Sequence, residues 1–368
     1  MAQTSNKPDL RTPGGFNAQI DNGMGAMLGR LTRDRSVVRM LVLLVAAFAF
    51  FTLLRPSIFL NPLNLENIAV SAPEIGILAI AMMLAMLTGG IDLSVVAIAN
   101  FTAITITTLY AGLAAGNPGQ ANSLLPLILL LGLALAAVAG WFNGFLIGVI
   151  GITPILATLA TMQILNGIAV VWTGGQTLYG APESLSVIAK TTIAGVPVLF
   201  LFFLLIAVVV AVLVNVTPLG LKLQLQGANP VAARYSGIGS RGVLTSTYVT
   251  SGLLGGLAGI VFIARNPTAS ADYGSSYVLL VIVIAVLGGT NPAGGFATVA
   301  GVVLATLTLQ VVSSGFNALR LSAYEYSIAQ GVILIAVMVA DQMRFRARRR
   351  KRDLQPPVPA APETQGKS

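Results

Sequence analysis

The sequence predicts an all-α fold, a polytopic membrane helical bundle of about ten transmembrane helices in which some segments are broken by glycine. Three observations predict this class. Of the 368 residues, 55% are hydrophobic and only 9% are charged, which is too little charge for the surface of a soluble domain. Apolar stretches repeatedly reach the roughly 20 residues that a helix needs to cross a hydrocarbon core. Basic residues cluster at the borders of these stretches.

The apolar stretches divide the chain into six expected spans before a long polar interruption and four after it. Their approximate bounds are 37–54, 67–88, 93–112, 123–149, 152–173, 196–216, 243–264, 277–290, 296–316 and 322–341. The small-residue run 252–259 predicts close helix packing. The polar, basic ends 1–35 and 343–368 are expected to be disordered tails, which leaves 36–342 as the membrane domain.

The positions of lysine and arginine predict the orientation of the bundle. Six of the 21 basic residues lie in 1–39 and seven in 344–352, and the interruption 217–242 holds Lys222, Arg234 and Arg241. Because cytoplasmic segments of membrane proteins are enriched in basic residues, we expect these three regions and both termini in the cytoplasm. The segment 174–195 is then the longest external one. This placement explains the net charge of +9 without a nucleic-acid partner.

Residue types that many enzyme sites require are missing from the chain. It has no cysteine and no histidine, which excludes disulfides, thiolate or imidazole metal sites and histidine-based triads. It also has no G-x-x-x-x-G-K-[ST] phosphate loop, so ATP would have to bind to another chain. We therefore expect neither enzyme activity nor a cofactor in this chain.

Two glycine-rich breaks end apolar stretches in a similar way, at 85–90 (AMLTGG) and at 285–290 (AVLGGT). Paired breaks in two halves of a transporter point to its translocation path, and chance similarity is the alternative. Asp92 follows the first break and either caps the next helix or contacts a transported solute, since ionisable groups at membrane depth are costly. Glu74 is the other acid at possible membrane depth, or it lies at the interface.

Polar side chains recur on one face of several apolar helices, as at Gln310, Ser313, Ser314 and Asn317. Neutral donors and acceptors suit a polyol such as a sugar, or they join helices by hydrogen bonds. The candidate residues of the translocation path and gate are Gly89, Gly90, Asp92, Ser94, Asn100, Gln163, Asn166, Gly288, Gly289, Gln310, Ser314 and Asn317.

The polar interruption contains the signals of a short helix. Asn229 is a suitable N-cap, Pro230 suits the first turn, and Gly237 follows the end. A short helix with an exposed Arg234 fits a groove of a partner protein. The alternative is an ordinary surface helix.

Three segments, in this order, resemble the permeases of the ribose/xylose/arabinose-type ABC sugar importers: 87–95 (LTGGIDLSV), 217–238 (TPLGLKLQLQGANPVAARYSGI) and 286–295 (VLGGTNPAGG). The resemblance covers about 60–341. It implies a permease dimer, with a second copy or a paralogue, in the lipid of the bacterial inner membrane. It also implies a cytoplasmic ATPase subunit that binds the ATP, and a periplasmic sugar-binding protein.

The resemblance also assigns residues to these partners. Coupling to the ATPase would involve Gly227, Asn229, Pro230, Ala232, Ala233, Arg234, Ser236 and Gly237. Docking of the binding protein would involve the segment 174–195 with Arg265, Asp272 and Glu325.

The chain departs from the family pattern at three places. Val96 stands where the family usually has glycine, Leu221 stands where it usually has arginine, and 277–280 (YVLL) replaces an acidic Tyr-Glu-Leu-Asp. These departures suit a heterodimer subunit or an unusual cargo.

The expected function is ATP-driven import of a monosaccharide or related small polyol. The alternative is an ion-coupled secondary transporter of a small polar solute. Such transporters use intramembrane carboxylates, for which Asp92 and Glu74 are the candidates.

Overall fold

The computed structural model describes residues 35–322, 324–332 and 335. The two tails predicted to be disordered lie almost entirely outside the described residues, as does much of the tenth predicted span. Residues up to Arg320 form one compact unit, and residues from Leu321 onward belong to a second.

The described part of the first unit, from residue 35 to residue 320, is mostly helical. Its helices are α1 (Arg35–Leu54), α2 (Pro56–Phe59), α3 (Pro62–Leu87), α4 (Val95–Gly116), α5 (Pro118–Phe145), α6 (Pro154–Thr173), α7 (Glu183–Lys190), α8 (Val198–Val216), α9 (Pro218–Ala228), α10 (Pro230–Tyr235), α11 (Ser240–Arg265), α12 (Tyr277–Leu287) and α13 (Val299–Ala318). A π-helical turn, Leu146–Ile150, extends α5.

Among the described residues, four two-residue strands lie in the segments between helices. They are β1 (Leu178–Tyr179), β2 (Thr192–Ile193), β3 (Val196–Pro197) and β4 (Thr268–Ala269). Strand β1 pairs antiparallel with β4, and β2 pairs antiparallel with β3. The predicted external segment 174–195 therefore contains β1, α7 and β2, and β1 joins it to the segment after α11.

In the described part of the chain, eight helices are long and apolar enough to cross a membrane: α1, α3, α4, α5, α6, α8, α11 and α13. Helix α12 has 11 residues, about 16 Å at 1.5 Å per residue, which is shorter than a hydrocarbon core of about 30 Å. In the second unit, residues 324–332 are helical and lie within the tenth predicted span. The predicted polytopic helical bundle is confirmed, and its count of about ten spans is approximate.

Three central helices organise the bundle. In α3, α4 and α11, 72% of the apolar window is buried, against 11% to 33% in α1, α5, α6 and α8. Helix α11 packs against α3, α4 and α5, and small residues bring these backbones together. A Cβ atom on Gly252 would lie 2.5 Å from the Ala136 oxygen, and one on Gly259 would lie 2.3 Å from the Ala99 oxygen. The close packing predicted for 252–259 is confirmed.

Candidate functional site

The two glycine-rich breaks have the same hydrogen-bonded geometry. At the end of α3, the amide of Gly89 donates to the Met86 oxygen (2.9 Å) and the amide of Gly90 donates to the Ala85 oxygen (3.0 Å). At the end of α12, Gly289 donates to Val286 and Thr290 donates to Ala285, each at 3.0 Å. Both patterns are Schellman motifs, with Gly89 at φ +83° and Gly289 at φ +98°. The sequence similarity thus corresponds to a structural repeat.

The two breaks also meet each other and the end of α9. The second break continues through 291–295 (NPAGG). The amide of Gly295 donates to the Leu87 oxygen at 2.9 Å, which ties the second break to the end of α3. Gly227 in α9 lies directly against both atoms of this bond, and Gly294 lies against Gly227 and Gly89. We call the contact of Leu87, Gly89, Gly227, Gly294 and Gly295 the glycine junction.

Asn291 shapes the second break from within. Its side-chain nitrogen donates to the Gly294 oxygen at 2.8 Å, and its side-chain oxygen accepts from the Ala293 amide at 3.1 Å. The Asn291 amide also donates to the Phe296 oxygen at 2.9 Å. Because the asparagine satisfies backbone groups that no helix satisfies here, it holds the glycines of the junction in place.

Asp92 is fully buried beside the first break. Its Oδ1 accepts from the Ser94 amide (3.0 Å) and the Ser94 hydroxyl (2.6 Å), and its Oδ2 accepts from the Ser251 hydroxyl (2.6 Å). Burial raises the pKa of the Asp92 carboxyl, and the bonds from Ser251 and Ser94 partly offset this rise. The carboxyl satisfies a backbone amide where α4 begins, as a capping group would, and it also joins the break to α11.

Other polar side chains fasten the first break to α5 and α6. The Asn143 side-chain nitrogen donates to the Ser94 hydroxyl at 2.7 Å. The Thr158 hydroxyl accepts from the Leu93 amide at 3.1 Å and donates to the Ile91 oxygen at 3.0 Å. None of Asn143, Thr158 and Ser251 was among the residues predicted from the sequence. Asn143 could have been found from the sequence, because it is a lone asparagine in an apolar stretch. The hydroxyl residues Thr158 and Ser251 give no such signal.

The polar residues predicted for the translocation path fall into two groups. Three of them bond to other segments of the first unit, as helix-joining residues do. These bonds run from Asn100 to the Ala271 oxygen (2.8 Å), from Gln310 to the Ser71 oxygen (3.2 Å) and from Ser314 to Asn64 (2.7 Å). In contrast, Gln163 and Asn317 are exposed and Asn166 is half-buried. Of the second-break residues, Gly288 is buried and Gly289 is half-buried.

The short helix predicted at 229–237 is confirmed as α10. The Asn229 side chain caps it by accepting from the amides of Val231 (3.1 Å) and Ala232 (3.0 Å). Pro230 is its first residue, and Gly237 follows it with φ +78°. Local side-chain chemistry therefore sets both ends of the helix.

Most side chains of helix α10 are exposed, and one buried side chain packs the helix against the rest of the protein. Tyr235 is 89% exposed and Val231 is 64% exposed, and Pro230, Ala232, Arg234 and Ser236 are also exposed. Ala233 points inward and is only 4% exposed. An apolar and basic surface of this kind suits contact with another protein.

A second buried acid lies deeper in the bundle. Glu74 is fully buried and pairs with Arg265, whose side chain is 34% exposed. The Tyr273 hydroxyl donates to Glu74 at 2.7 Å, and burial together with this carboxylate raises the pKa of Tyr273, so the phenol stays a donor. Arg265, a predicted docking residue, thus has an ion-pair partner inside the subunit. The neighbouring Asp272 is exposed.

In the second unit, Glu325 is exposed and bonds locally. Its Oε2 accepts from the Ser322 amide (2.6 Å) and from the Ser322 hydroxyl (3.0 Å). The Ser322 hydroxyl in turn accepts from the Glu325 amide at 3.3 Å. This reciprocal arrangement is a capping box at the start of the helix that includes 324–332.

The described residues hold no group of three or more acidic, histidine or cysteine side chains that would bind a metal ion. What the arrangement offers is two glycine-rich breaks whose main chain is held by hydrogen bonds. The sequence matches the family "Branched-chain amino acid transport system / permease component" over residues 64–338. The chain belongs to this permease family. The permease is thus a multi-pass transport protein and not an enzyme.

Curated relatives of the permease cover most of its length. The ribose import permease protein RbsC of Bacillus subtilis is 32% identical over 295 residues, which are 80% of this chain and 88% of that protein. The autoinducer 2 import system permease protein LsrC of Salmonella typhi is 30% identical, covering 92% and 96%. The xylose/arabinose import permease protein XylH of Sulfolobus acidocaldarius is 30% identical, covering 87% and 88%. No solved structure matches the chain significantly.

Proposed function

We propose that this permease is the membrane-spanning subunit of an ATP-driven, binding-protein-dependent importer of a monosaccharide or related small polyol. One observation supports this proposal above the others. An exposed, capped helix, α10, follows α9 directly, and α9 ends in contact with both glycine-rich breaks of the bundle. A partner that moves α10 would therefore act on the places where the spans are interrupted.

The proposed partners are those of an ATP-driven importer. A cytoplasmic ATPase subunit binds ATP and docks on α10, with Arg234 and Tyr235 as the exposed contacts. A periplasmic sugar-binding protein docks on the opposite side, at 174–195 and Asp272. Glu325 is a separate docking candidate in the second unit. Arg265 supports the docking surface through its pair with Glu74. The setting is the bacterial inner membrane, with both termini in the cytoplasm.

The solute path is proposed along α6, between this permease and a second copy or paralogue. Gln163 is the tenth of the 20 residues of α6 and is exposed, which places an amide near the middle of the membrane. It lines a shallow groove with Ile164, Gly167, Ile168, Val171 and Trp172. Because lipid would leave the amide without hydrogen-bond partners at a cost of several kcal/mol, this face suits water or a second subunit.

A neutral polyol fits this path better than a charged solute. Gln163 and the half-buried Asn166 supply neutral donors and acceptors on α6. The relatives are named for ribose, for xylose and arabinose, and for autoinducer 2. An amino acid would bring an ammonium and a carboxylate group, and α6 has no charged residue to receive them.

An ion-coupled mechanism is less well supported. It would use Asp92 or Glu74 to carry a coupling ion. Both acids are already engaged, Asp92 by two serine side chains and a backbone amide and Glu74 by Arg265 and Tyr273. Releasing either of them would break several buried bonds in each cycle.

Uptake by membrane vesicles tests the proposal. Vesicles that hold the permease with its proposed ATPase and binding-protein partners should accumulate labelled ribose or xylose when ATP is present, and should continue to do so after an uncoupler collapses the proton gradient. Arg234→Glu should weaken ATPase co-purification by roughly tenfold or more, because reversing a contact charge costs several kcal/mol. Arg241→Glu, an exposed arginine outside α10, is the matched control. Uptake that needs the gradient and not ATP would contradict the proposal.

A further inference from the structure

Gly227 occupies a position where no other residue fits without movement of the main chain. A Cβ atom there would lie 2.0 Å from the Leu87 oxygen and 2.5 Å from the Gly295 nitrogen. These two atoms are the acceptor and the donor of the bond that joins the two breaks. The Cα of Gly227 therefore packs directly onto that hydrogen bond.

The same contact is equally tight from the other side. A Cβ atom on Gly294 would lie 2.7 Å from the Gly227 oxygen and 2.9 Å from the Gly89 nitrogen. One on Gly295 would lie 2.9 Å from the Cα of Ala228. Three segments of the main chain thus meet with no side chain between them. Because no flexible side chain separates these segments, a displacement of one segment is passed to the others and is not absorbed by rotamer changes.

Helix α10 is connected to this contact by a very short link. The Asn229 amide donates to the Leu225 oxygen at 3.1 Å and so completes α9, while its side chain caps α10. The hydroxyl of Ser240 donates to Gln226 at 2.9 Å and holds the end of α9 against the start of α11. Helices α9 and α10 therefore have little freedom to move separately.

We infer that Gly227 is the positioning residue of the coupling mechanism, through which a displacement of α10 reaches both glycine-rich breaks at once. The inference rests on the proposed function for the identity of the partner that moves α10. The junction itself is a property of this chain alone. A side chain at position 227 would separate the breaks from α9 and from each other, while leaving the exposed surface of α10 unchanged.

Hydrogen exchange in nanodiscs tests the junction without any partner. In Gly227→Ala, amides in 88–94 and in 288–298 should exchange faster together, by roughly tenfold or more, as the bond between Gly295 and Leu87 is lost. Gly239→Ala is the matched control, because Gly239 is exposed, has φ −72° and has no atom within 4 Å of its added Cβ. Unchanged exchange in Gly227→Ala, or a change in only one break, would overturn the inference.

The assembled importer tests the coupling. With Gly227→Ala, uptake of labelled ribose or xylose for each ATP hydrolysed should fall roughly tenfold or more. Equal losses of hydrolysis and uptake would overturn the positioning role. If this variant does not fold, the native chain provides the test. Adding the ATPase with a non-hydrolysable ATP analogue should change the hydrogen exchange of amides in both breaks. A change confined to 218–235 would overturn the inference. An ATPase that never binds the native chain would refute the proposed function, and the nanodisc comparison would still decide the junction.

Discussion

The two buried acids among the described residues have different surroundings, and the difference determines what each can do. Asp92 is held by neutral donors, two of them from Ser94 and one from Ser251. Glu74 is held by a cation, Arg265, with Tyr273 as a further donor. A buried charge with an ionic partner depends on that partner, since an unpaired charge in a low-dielectric interior is strongly unfavourable.

Removing either partner of the Glu74 pair should destabilise the permease unequally. Arg265→Gln leaves a fully buried carboxylate without its cation and should cost about 3–5 kcal/mol. Glu74→Gln leaves an arginine that is 34% exposed and can reach water, so its cost should be smaller. Thermal unfolding of the purified permease in detergent measures both. The double variant should be more stable than Arg265→Gln alone. Equal losses of stability in the two single variants, which add up in the double variant, would contradict the pairing.

Among the elements, α10 depends most directly on one side chain. The Asn229 side chain accepts two amide bonds at its start. Asn229→Ala should destabilise the helix by about 0.5–2 kcal/mol and weaken ATPase binding by up to about thirtyfold, in line with that energy. Asn229→Asp keeps the acceptor and favours the positive helix end, so it should bind as the native chain does. Titration of the ATPase subunit against purified permease checks this. Equally weak binding by both variants would contradict a capping role.

Elements whose ends are set by neighbouring residues could be predicted from the sequence. Helix α10 was predictable because Asn229, Pro230 and Gly237 act within nine residues. The break after α12 was placed almost correctly, since Gly289 ends the helix by adopting a positive φ, although the apolar run alone suggested a longer span. The partners of Asp92 and Glu74 were not predictable. Ser251 and Arg265 lie 159 and 191 residues away, and local periodicity carries no information on such contacts.

At the scale of the helical bundle in the first unit, the breaks, the start of α1 and helices α9 and α10 lie at one end. The Arg39 side chain, near the start of α1, donates to the Leu287 oxygen at 3.3 Å, and the glycine junction joins the breaks to α9. A Cβ on Gly90 would lie 3.0 Å from the Cβ of Pro154, the first residue of α6. The 20 residues of α6 then rise about 30 Å, so β1, just beyond its end, lies at the opposite end of the bundle.

Labelling of introduced cysteines tests this arrangement in the membrane, and the chain suits the method because it has no cysteine of its own. Tyr235→Cys lies in α10, where the side chain is 89% exposed, and Tyr179→Cys lies in β1, where it is 75% exposed. In cells with a permeable outer membrane, an impermeant maleimide should label Tyr179→Cys directly and Tyr235→Cys only after the inner membrane is opened, because basic segments face the cytoplasm. The native chain gives the background. Labelling of Tyr235→Cys with the inner membrane intact would place α10 outside, where no ATPase reaches it.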